Sequence, residues 1–325
     1  MSARAQIALR PLPQISVVIP VFNEESCLPA LIARLYPALD ALHRPYECIF
    51  VDDGSTDRSV ALLRETFQQR PHETRIVILR GNFGQHAAIR AGFERVRGDF
   101  IVTLDADLQN PPEEIAQLVA RFDEGYDYVG TIRQRRRDAW WRRKASAAMN
   151  IVRRRISGIR MTDQGCMLRG YSRAIVSAIN QSREVTTFLP ALGSLYALRS
   201  IEIPVRHEER ESGTSKYSLY RLVRLNFDLM TGFSLVPLQL FSMAGIVIAA
   251  LSFLFVVYLA VRRLLIGPEA EGVFTLFAIV FLMIGIVLFG IGLLGEYIGR
   301  IYLQVRDRPR YVVQAVIEAE RGESS

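Results

Sequence analysis

Phe100-Ile-Val-Thr-Leu-Asp-Ala-Asp-Leu-Gln-Asn-Pro-Pro112 is the stretch whose reading decides the fold. Its first half is apolar and β-branched, the composition of a buried strand, and a double proline ends it. Between the two stand Asp105 and Asp107, with the amide of Gln109 two residues further on. In an extended chain residues i and i+2 point the same way, so a strand over 100–105 sets both carboxylates towards one point beyond its end. Open α/β sheets bind ligands at that edge. Oxygen ligands on one side suit a divalent cation otherwise held by phosphates and water, the usual manner of Mg2+. The same residues also suit an acidic turn, because Asp is frequent in turns.

Working outward, similar strands precede this one. Gln14-Ile-Ser-Val-Val-Ile-Pro20, Glu47-Cys-Ile-Phe-Val51 and Arg75-Ile-Val-Ile-Leu79 are continuous apolar runs. Helical patterns separate them, from Glu25 to Leu42, up to Gln69, and from Gly84 to Val96, with another beginning at Pro112. Regular alternation of this kind predicts an α/β fold whose sheet is mostly parallel, with helices on both faces. After Asp127-Tyr-Val-Gly-Thr-Ile132 the pattern changes. Residues 133–160 are dense in arginine, include Trp140 and Trp141, and read as a basic helix. A short helix near 171–180 and a strand near 198–205 follow, then a polar loop over 206–216 that reads as mobile.

The last third is different. No charged residue occurs from Leu229 to Val261 or from Gly272 to Gly295, and each run exceeds the roughly 20 residues a membrane-spanning helix needs. The spacing predicts a transmembrane hairpin over 234–299, with spans near 235–261 and 273–295 and a break at Gly267-Pro268. Ahead of it, Leu219, Leu222, Val223, Phe227 and Met230 share one helical face while Arg221, Arg224 and Asp228 share another. That is an interfacial amphipathic helix over 216–233. The remaining parts are an arm at 1–13, a large polar domain at 14–215, and a tail at 300–325 with a strand-like run over 310–316.

Basic residues flank the hairpin on both sides, Lys216, Arg221 and Arg224 before it and Arg300, Arg306, Arg308 and Arg310 after it. The positive-inside rule therefore sets both termini and the polar domain in the cytoplasm of a multi-pass inner-membrane protein, although Arg262 and Arg263 in the hairpin loop weaken the asymmetry. The N-terminus carries no signal-peptide pattern. Three cysteines, Cys27, Cys48 and Cys166, lack metal-ligand spacing and fit reduced structural thiols. A net charge of +7 raises the question of nucleic acid. The basic residues cluster beside the membrane and in 133–160, which suits lipid headgroups or a phosphorylated substrate instead.

Three strand ends carry acids or amides: Pro20-Val-Phe-Asn-Glu24, Asp52-Asp53-Gly-Ser55 and Asp105-Ala-Asp107. In a parallel sheet they lie along one edge, joined by Asn82-Phe-Gly84, and such groups can hydrogen-bond a nucleoside. No Gly-x-Gly-x-x-Gly follows a strand, and Gly213-Thr-Ser-Lys216 lacks the first glycine of a P-loop, so neither phosphate-cradling motif applies.

Val18-Ile-Pro-Val-Phe-Asn-Glu24, Val51-Asp-Asp-Gly-Ser55 and Asp105-Ala-Asp-Leu-Gln109 together resemble the family 2 glycosyltransferases of the GT-A fold. Gly84-Gln-His86, the stretch from Thr103 to Glu114, Gly165-Cys-Met-Leu-Arg169, Ser215-Lys-Tyr217 and Leu294-Gly-Glu-Tyr-Ile-Gly-Arg300 narrow the resemblance to polyprenyl-phosphate glycosyltransferases. It covers roughly residues 14–316. The resemblance implies a UDP-sugar donor, an undecaprenyl phosphate acceptor and Mg2+ or Mn2+ as cofactor. On matching positions it assigns Pro20, Phe22, Glu24, Asp53, Asn82 and Asp105 to the nucleotide, and Asp107 and Gln109 to the metal. Arg133, Arg142, Ser146, Arg210, Ser215 and Lys216 match acceptor-phosphate positions, and Asp163 matches an aspartate regarded as a base in relatives. With Asp105 and Asp107, Asp163 makes up the expected catalytic set.

The implied transfer is a single inverting displacement that serves lipid A modification and resistance to cationic peptides. A 4-deoxy-4-formamido-L-arabinosyl group is the expected sugar, with glucosyl or mannosyl transfer to the same lipid as the alternative. A non-enzymatic membrane sensor of nucleotide sugars is a further reading. A homo-oligomer, such as a tetramer, would shelter the lipid chain between hairpins.

Overall fold

A computed structural model describes residues 12–133, 161–163, 165–182, 188–208, 235–266, 273–306 and 309–319. Strand β1 (Ile15–Val21) leads to helix α1 (Leu28–Asp40), β2 (Tyr46–Asp52) to α2 (Ser59–Gln69), and β3 (Thr74–Leu79) to α3 (Gln85–Phe93). Strand β4 (Phe100–Thr103) leads to α4 (Ile115–Asp123), and β5 (Tyr128–Arg133) follows. Next come β6 (Arg169–Ser172), α5 (Arg173–Gln181), α6 (Leu189–Tyr196) and β7 (Ser200–Val205). Two long helices, α7 (Val236–Ile266) and α8 (Val273–Val305), precede a last strand, β8 (Val313–Ile317).

The strands form one sheet in the order β7-β5-β6-β4-β1-β2-β3-β8. Neighbours β1–β2, β1–β4, β2–β3 and β5–β7 are parallel. Both faces are covered, which is why the central strands read as unbroken apolar runs. On one face Val17, Ile19, Phe50 and Val102 pack with Leu28, Leu31, Leu35 and Leu39, the helical stripe of α1, and with Ile115 and Leu118 of α4. On the other, Val18, Ile49, Val77 and Ile101 meet Ala88, Ile89 and Phe93 of α3, with Ile175 and Ile179 of α5 and Leu189 and Leu192 of α6. Each such buried side chain contributes about 1.5–3 kcal/mol, so the rim beyond the strand ends rests on a rigid floor.

Three features depart from the sequence reading. Strand β4 stops at Thr103 rather than at residue 105, so strand alternation does not orient the two aspartates. The chain turns instead, and Leu108 takes a positive φ of 58°. Second, β6 runs antiparallel between β4 and β5, and α6 follows it; neither was expected. Third, the tail strand β8 joins the sheet itself, antiparallel to β3. Beyond it, the Glu318 carboxylate pairs with Arg75 at 2.9 Å and Arg97 at 2.7 Å.

The windows Leu238–Phe255 and Ile279–Leu303 are long and apolar enough to cross a membrane. Within the described fold 0% of the first and 6% of the second is buried, so neither is a core helix. The expected basic helix over 133–160 and the amphipathic helix over 216–233 lie largely or wholly outside the described residues.

Candidate active site

The site is assembled where the parallel strands end. Backbone pairing carries the β1 and β2 ends together, Asp53 donating its N–H to the Val21 carbonyl at 2.8 Å. Asp53 is 2% exposed, and its two carboxylate oxygens each accept a backbone N–H at 2.8 Å, from Phe83 and Gly84. Burial pushes its pKa up, and those two N–H groups oppose the shift. Asp53 thus anchors the loop after β3 to the end of β2. Gly54 makes the anchorage possible: its φ is +76°, and a Cβ there would stand 2.6 Å from the Gly81 carbonyl carbon. Asn23, at φ 55°, accepts the Thr56 N–H on its side-chain oxygen at 2.8 Å. Pro20 is half-buried at the end of β1, Glu24 is half-buried, and Phe22, Asn82 and Phe83 are exposed. These residues lie together along the rim at the ends of β1, β2 and β3.

The Asp105–Gln109 turn divides its two carboxylates between different neighbours. Asp105 accepts a hydrogen bond from the Gln85 amide at 2.5 Å, which ties it to the first turn of α3. Asp107 accepts the Gln109 N–H on Oδ1 at 3.2 Å, closing the turn that Leu108 permits. Its other oxygen carries no hydrogen bond among the described residues. Gln85 was part of a quoted motif but had no role assigned to it.

A second cluster faces this turn. Arg133, at the end of β5, clasps Asp163 with Nε to Oδ2 at 2.8 Å and Nη2 to Oδ1 at 2.9 Å. The Gly165 N–H also donates to Oδ1, at 3.0 Å. A Cβ on Gly165 would stand 2.6 Å from Arg133 Nη2, so a side chain there would force the fork away. Below, the fully buried Arg169 donates to the carbonyls of Asp163 and Cys166 and to the Tyr128 hydroxyl. Thr131 Oγ1 contacts Cys166 Sγ at 2.8 Å, and that sulfur contacts Asn110 Oδ1 at 3.3 Å. The buried thiol, its pKa raised by that burial, therefore links the Asp163 loop to the end of the Asp107 turn.

His207 completes the cluster, and nothing in the sequence marked it. The chain leaving β7 folds back so that the Glu208 N–H donates to the Gln109 carbonyl at 2.9 Å. Burial and Arg133 lower the His207 pKa, against the opposing pull of Asp107, Asp163 and the Gln109 carbonyl. Its Nδ1 is sealed from solvent and has no hydrogen-bond partner among the described residues. Of the acceptor-side residues expected from sequence, Arg133 is brought to the site. Arg142, Ser146, Arg210, Ser215 and Lys216 lie outside the described residues.

Residues 16–179 match the family described as Glycosyl transferase family 2. The chain belongs to that family. Its sheet is the GT-A fold, and as a family 2 glycosyltransferase it also carries, over residues 236–301, a match to the GtrB C-terminal hairpin. The glycosyltransferase is similar to undecaprenyl-phosphate 4-deoxy-4-formamido-L-arabinose transferase of Edwardsiella ictaluri, with 51% identity over 309 residues, covering 94% of this chain and 95% of that one. Among solved structures it is similar to glucosyl-3-phosphoglycerate synthase from Mycobacterium tuberculosis in complex with Mn2+, UDP and glucosyl-3-phosphoglycerate. That likeness has 16% identity, a TM-score of 0.44, and covers 68% of this chain and 78% of that one. S. aureus TarS 1–349 in complex with UDP-GlcNAc gives 17% identity and a TM-score of 0.44, covering 67% and 65% of the two chains.

Proposed function

We propose that this glycosyltransferase moves a 4-deoxy-4-formamido-L-arabinosyl group from UDP to undecaprenyl phosphate at the cytoplasmic face of the inner membrane, for lipid A modification and resistance to cationic peptides. The observation that carries this reading is the end-to-end likeness to the Edwardsiella ictaluri enzyme, hairpin included. The division of the rim supports it: hydrogen-bonding groups without net positive charge on one side, and an arginine held by a buried carboxylate on the other.

The donor nucleoside is assigned to Pro20, Phe22, Glu24, Asp53, Asn82 and Asp105. Asp53 acts there through the loop it anchors, since both its oxygens already hold backbone N–H groups. Removing a buried acceptor of this kind costs about 1–3 kcal/mol. Asp53→Ala is therefore expected to raise the donor KM about tenfold with a smaller change in kcat. Initial-rate kinetics over a donor series would check this, and an unchanged KM would detach Asp53 from donor binding.

A divalent cation fits the Asp107 turn. Among the described residues no three His, Cys, Asp or Glu side chains form a closed cage, which matches an ion held chiefly by substrate phosphates and water. Among the described residues Asp107 offers one oxygen without a hydrogen bond, Gln109 is the neighbouring amide, and His207 brings a buried nitrogen, Nδ1, that has no hydrogen-bond partner. A cation bound there would supply positive charge against the leaving diphosphate. Titration with Mg2+ and with Mn2+ distinguishes the two ions.

On the acceptor side, Arg133 supplies a guanidinium charge, oriented by Asp163, of the kind that binds a phosphate. A phosphate monoester, with a second pKa of about 6, is already largely a dianion near neutrality. Asp163 engages Arg133 with both oxygens, which supports its role as an orienting group instead of a base. Attack by the lipid phosphate oxygen on the anomeric carbon, with loss of UDP, then inverts that carbon in one step. Membranes given undecaprenyl phosphate and separate UDP-sugars test the reading. The formamido-arabinosyl lipid is the expected product by mass, with inverted configuration by NMR and full loss under EDTA. A glucosyl or mannosyl lipid as the main product would overturn the sugar assignment.

A further inference from the structure

We propose that Arg34 is a positioning residue that holds His207 and the Asp107 turn against one another. The proposal rests on the reading of that turn as the cation and diphosphate site. Arg34 lies on α1 beside the buried stripe, where an arginine would ordinarily be a solvated surface charge. Here its guanidinium is shared by two carboxylates. Nε and Nη2 donate to the two oxygens of Glu113, both at 3.0 Å. Nη1 and Nη2 donate to the two oxygens of Glu208, at 3.0 and 3.2 Å.

Both carboxylates are one short step from the site. Glu113 sits in the single turn of helix after Pro111, directly downstream of the Asp107 turn. Glu208 follows His207, and its N–H is the one bonded to the Gln109 carbonyl at 2.9 Å. A single side chain thus closes a ring running from α1 through Glu113, the Asp107 turn, the Gln109 carbonyl and Glu208 back to α1. His207 is inside that ring, with its Nδ1 sealed from solvent and without a hydrogen-bond partner among the described residues.

Isolated surface pairs contribute little, but bidentate networks of arginine with carboxylates are the exception. Arg34 keeps 33% side-chain exposure, and its bonds hold the Glu113 carboxyl below its ordinary range. Its removal does more than delete two attractions. It leaves Glu113 and Glu208 as neighbouring like charges with nothing between them, a repulsion directed along the contact that seats His207. Lysine offers a point charge instead of a fork and cannot engage all four oxygens.

The test uses the full chain in detergent, as Arg34→Gln, Arg34→Lys and, for comparison, Arg44→Gln. Arg44 makes a bidentate pair with Asp123 at 2.9 and 2.7 Å with similar exposure, yet Asp123 lies at the far end of α4. Hydrogen exchange at the Glu208 amide is read first, without ligands. Mn2+ affinity in the presence of UDP is read next, by the spin-resonance signal of free Mn2+. Both Arg34 variants are expected to speed exchange and weaken Mn2+ about tenfold, as loss of an outer-shell partner does, while Arg44→Gln changes neither. Exchange at Glu208 in Arg34→Gln that equals Arg44→Gln would overturn the proposal. If the unaltered chain binds no Mn2+ with UDP, the cation reading fails, and the exchange result still decides whether Arg34 holds the contact.

Discussion

Asp107→Ala is expected to lower kcat by about 10²–10³-fold, the loss that follows removal of one electrostatic stabiliser at a site of developing charge. The residue has two separable jobs. Its Oδ1 accepts the Gln109 N–H and so shapes the turn, while its charge is assigned to the cation. Asparagine retains an oxygen for the turn but not the charge. Asp107→Asn should therefore match the alanine variant in rate while keeping the wild-type circular dichroism and thermal midpoint. Measured transfer rates at saturating donor and cation separate the two jobs. An Asn variant with near wild-type rate would reduce Asp107 to a turn former.

Asp163→Asn carries the second large effect. Breaking a buried ion pair from one side costs about 3–5 kcal/mol, less here because Arg133 keeps 21% side-chain exposure while Asp163 has 2%. The expected consequence is a swung Arg133 and a fall of about 10²-fold in kcat/KM for the lipid phosphate, since misplaced groups of this kind lose orientation. The pH profile distinguishes positioning from proton abstraction. With an acceptor already ionised near neutrality, the loss should be the same at pH 6 and at pH 9. A deficit that shrinks as pH rises would instead assign Asp163 as the base.

The legible parts of the fold were those set by local pattern. Strands β1 to β4 announce themselves because parallel strands buried on both faces are continuous apolar runs, as Val17, Val18 and Ile19 show with 0% exposure each. Strand β6 did not. It has four residues, begins with a buried Arg169 and contains Gly170, so its place between β4 and β5 depends on non-local pairing. Helix α6 is eight residues long with Gly193, a poor helix former, in its interior, and that glycine packs on Tyr128 and Tyr171. The antiparallel docking of β8 was equally unreadable from a strand-like run alone.

The site divides along the same line. Asp53, Asp105 and Asp107 follow strand ends, and parallel topology brings those ends together without further information. Gln85 on α3, Arg34 on α1 and His207 after β7 come to the neighbourhood of the Asp105–Gln109 turn only after the sheet is built, Gln85 by bonding Asp105 and Arg34 by bonding Glu113 and Glu208. Even the turn needed the structure, because β4 ends at Thr103 and Leu108 takes a positive φ, so strand alternation does not set both carboxylates towards one point. The structure gives the two aspartates different partners, the Gln85 amide for Asp105 and the Gln109 N–H for Asp107.

The proposed reaction has the Asp107 turn and the Arg133 side serve one displacement on a lipid phosphate. The most direct measurement follows UDP release by the purified full chain in lipid vesicles, with UDP-linked 4-deoxy-4-formamido-L-arabinose supplied, with and without undecaprenyl phosphate, before and after EDTA. UDP release is expected to require the lipid phosphate, to match glycolipid formed one for one, and to stop on chelation until Mg2+ or Mn2+ is restored. Release that proceeds equally without the lipid, or that persists undiminished in EDTA, would contradict the proposed reaction.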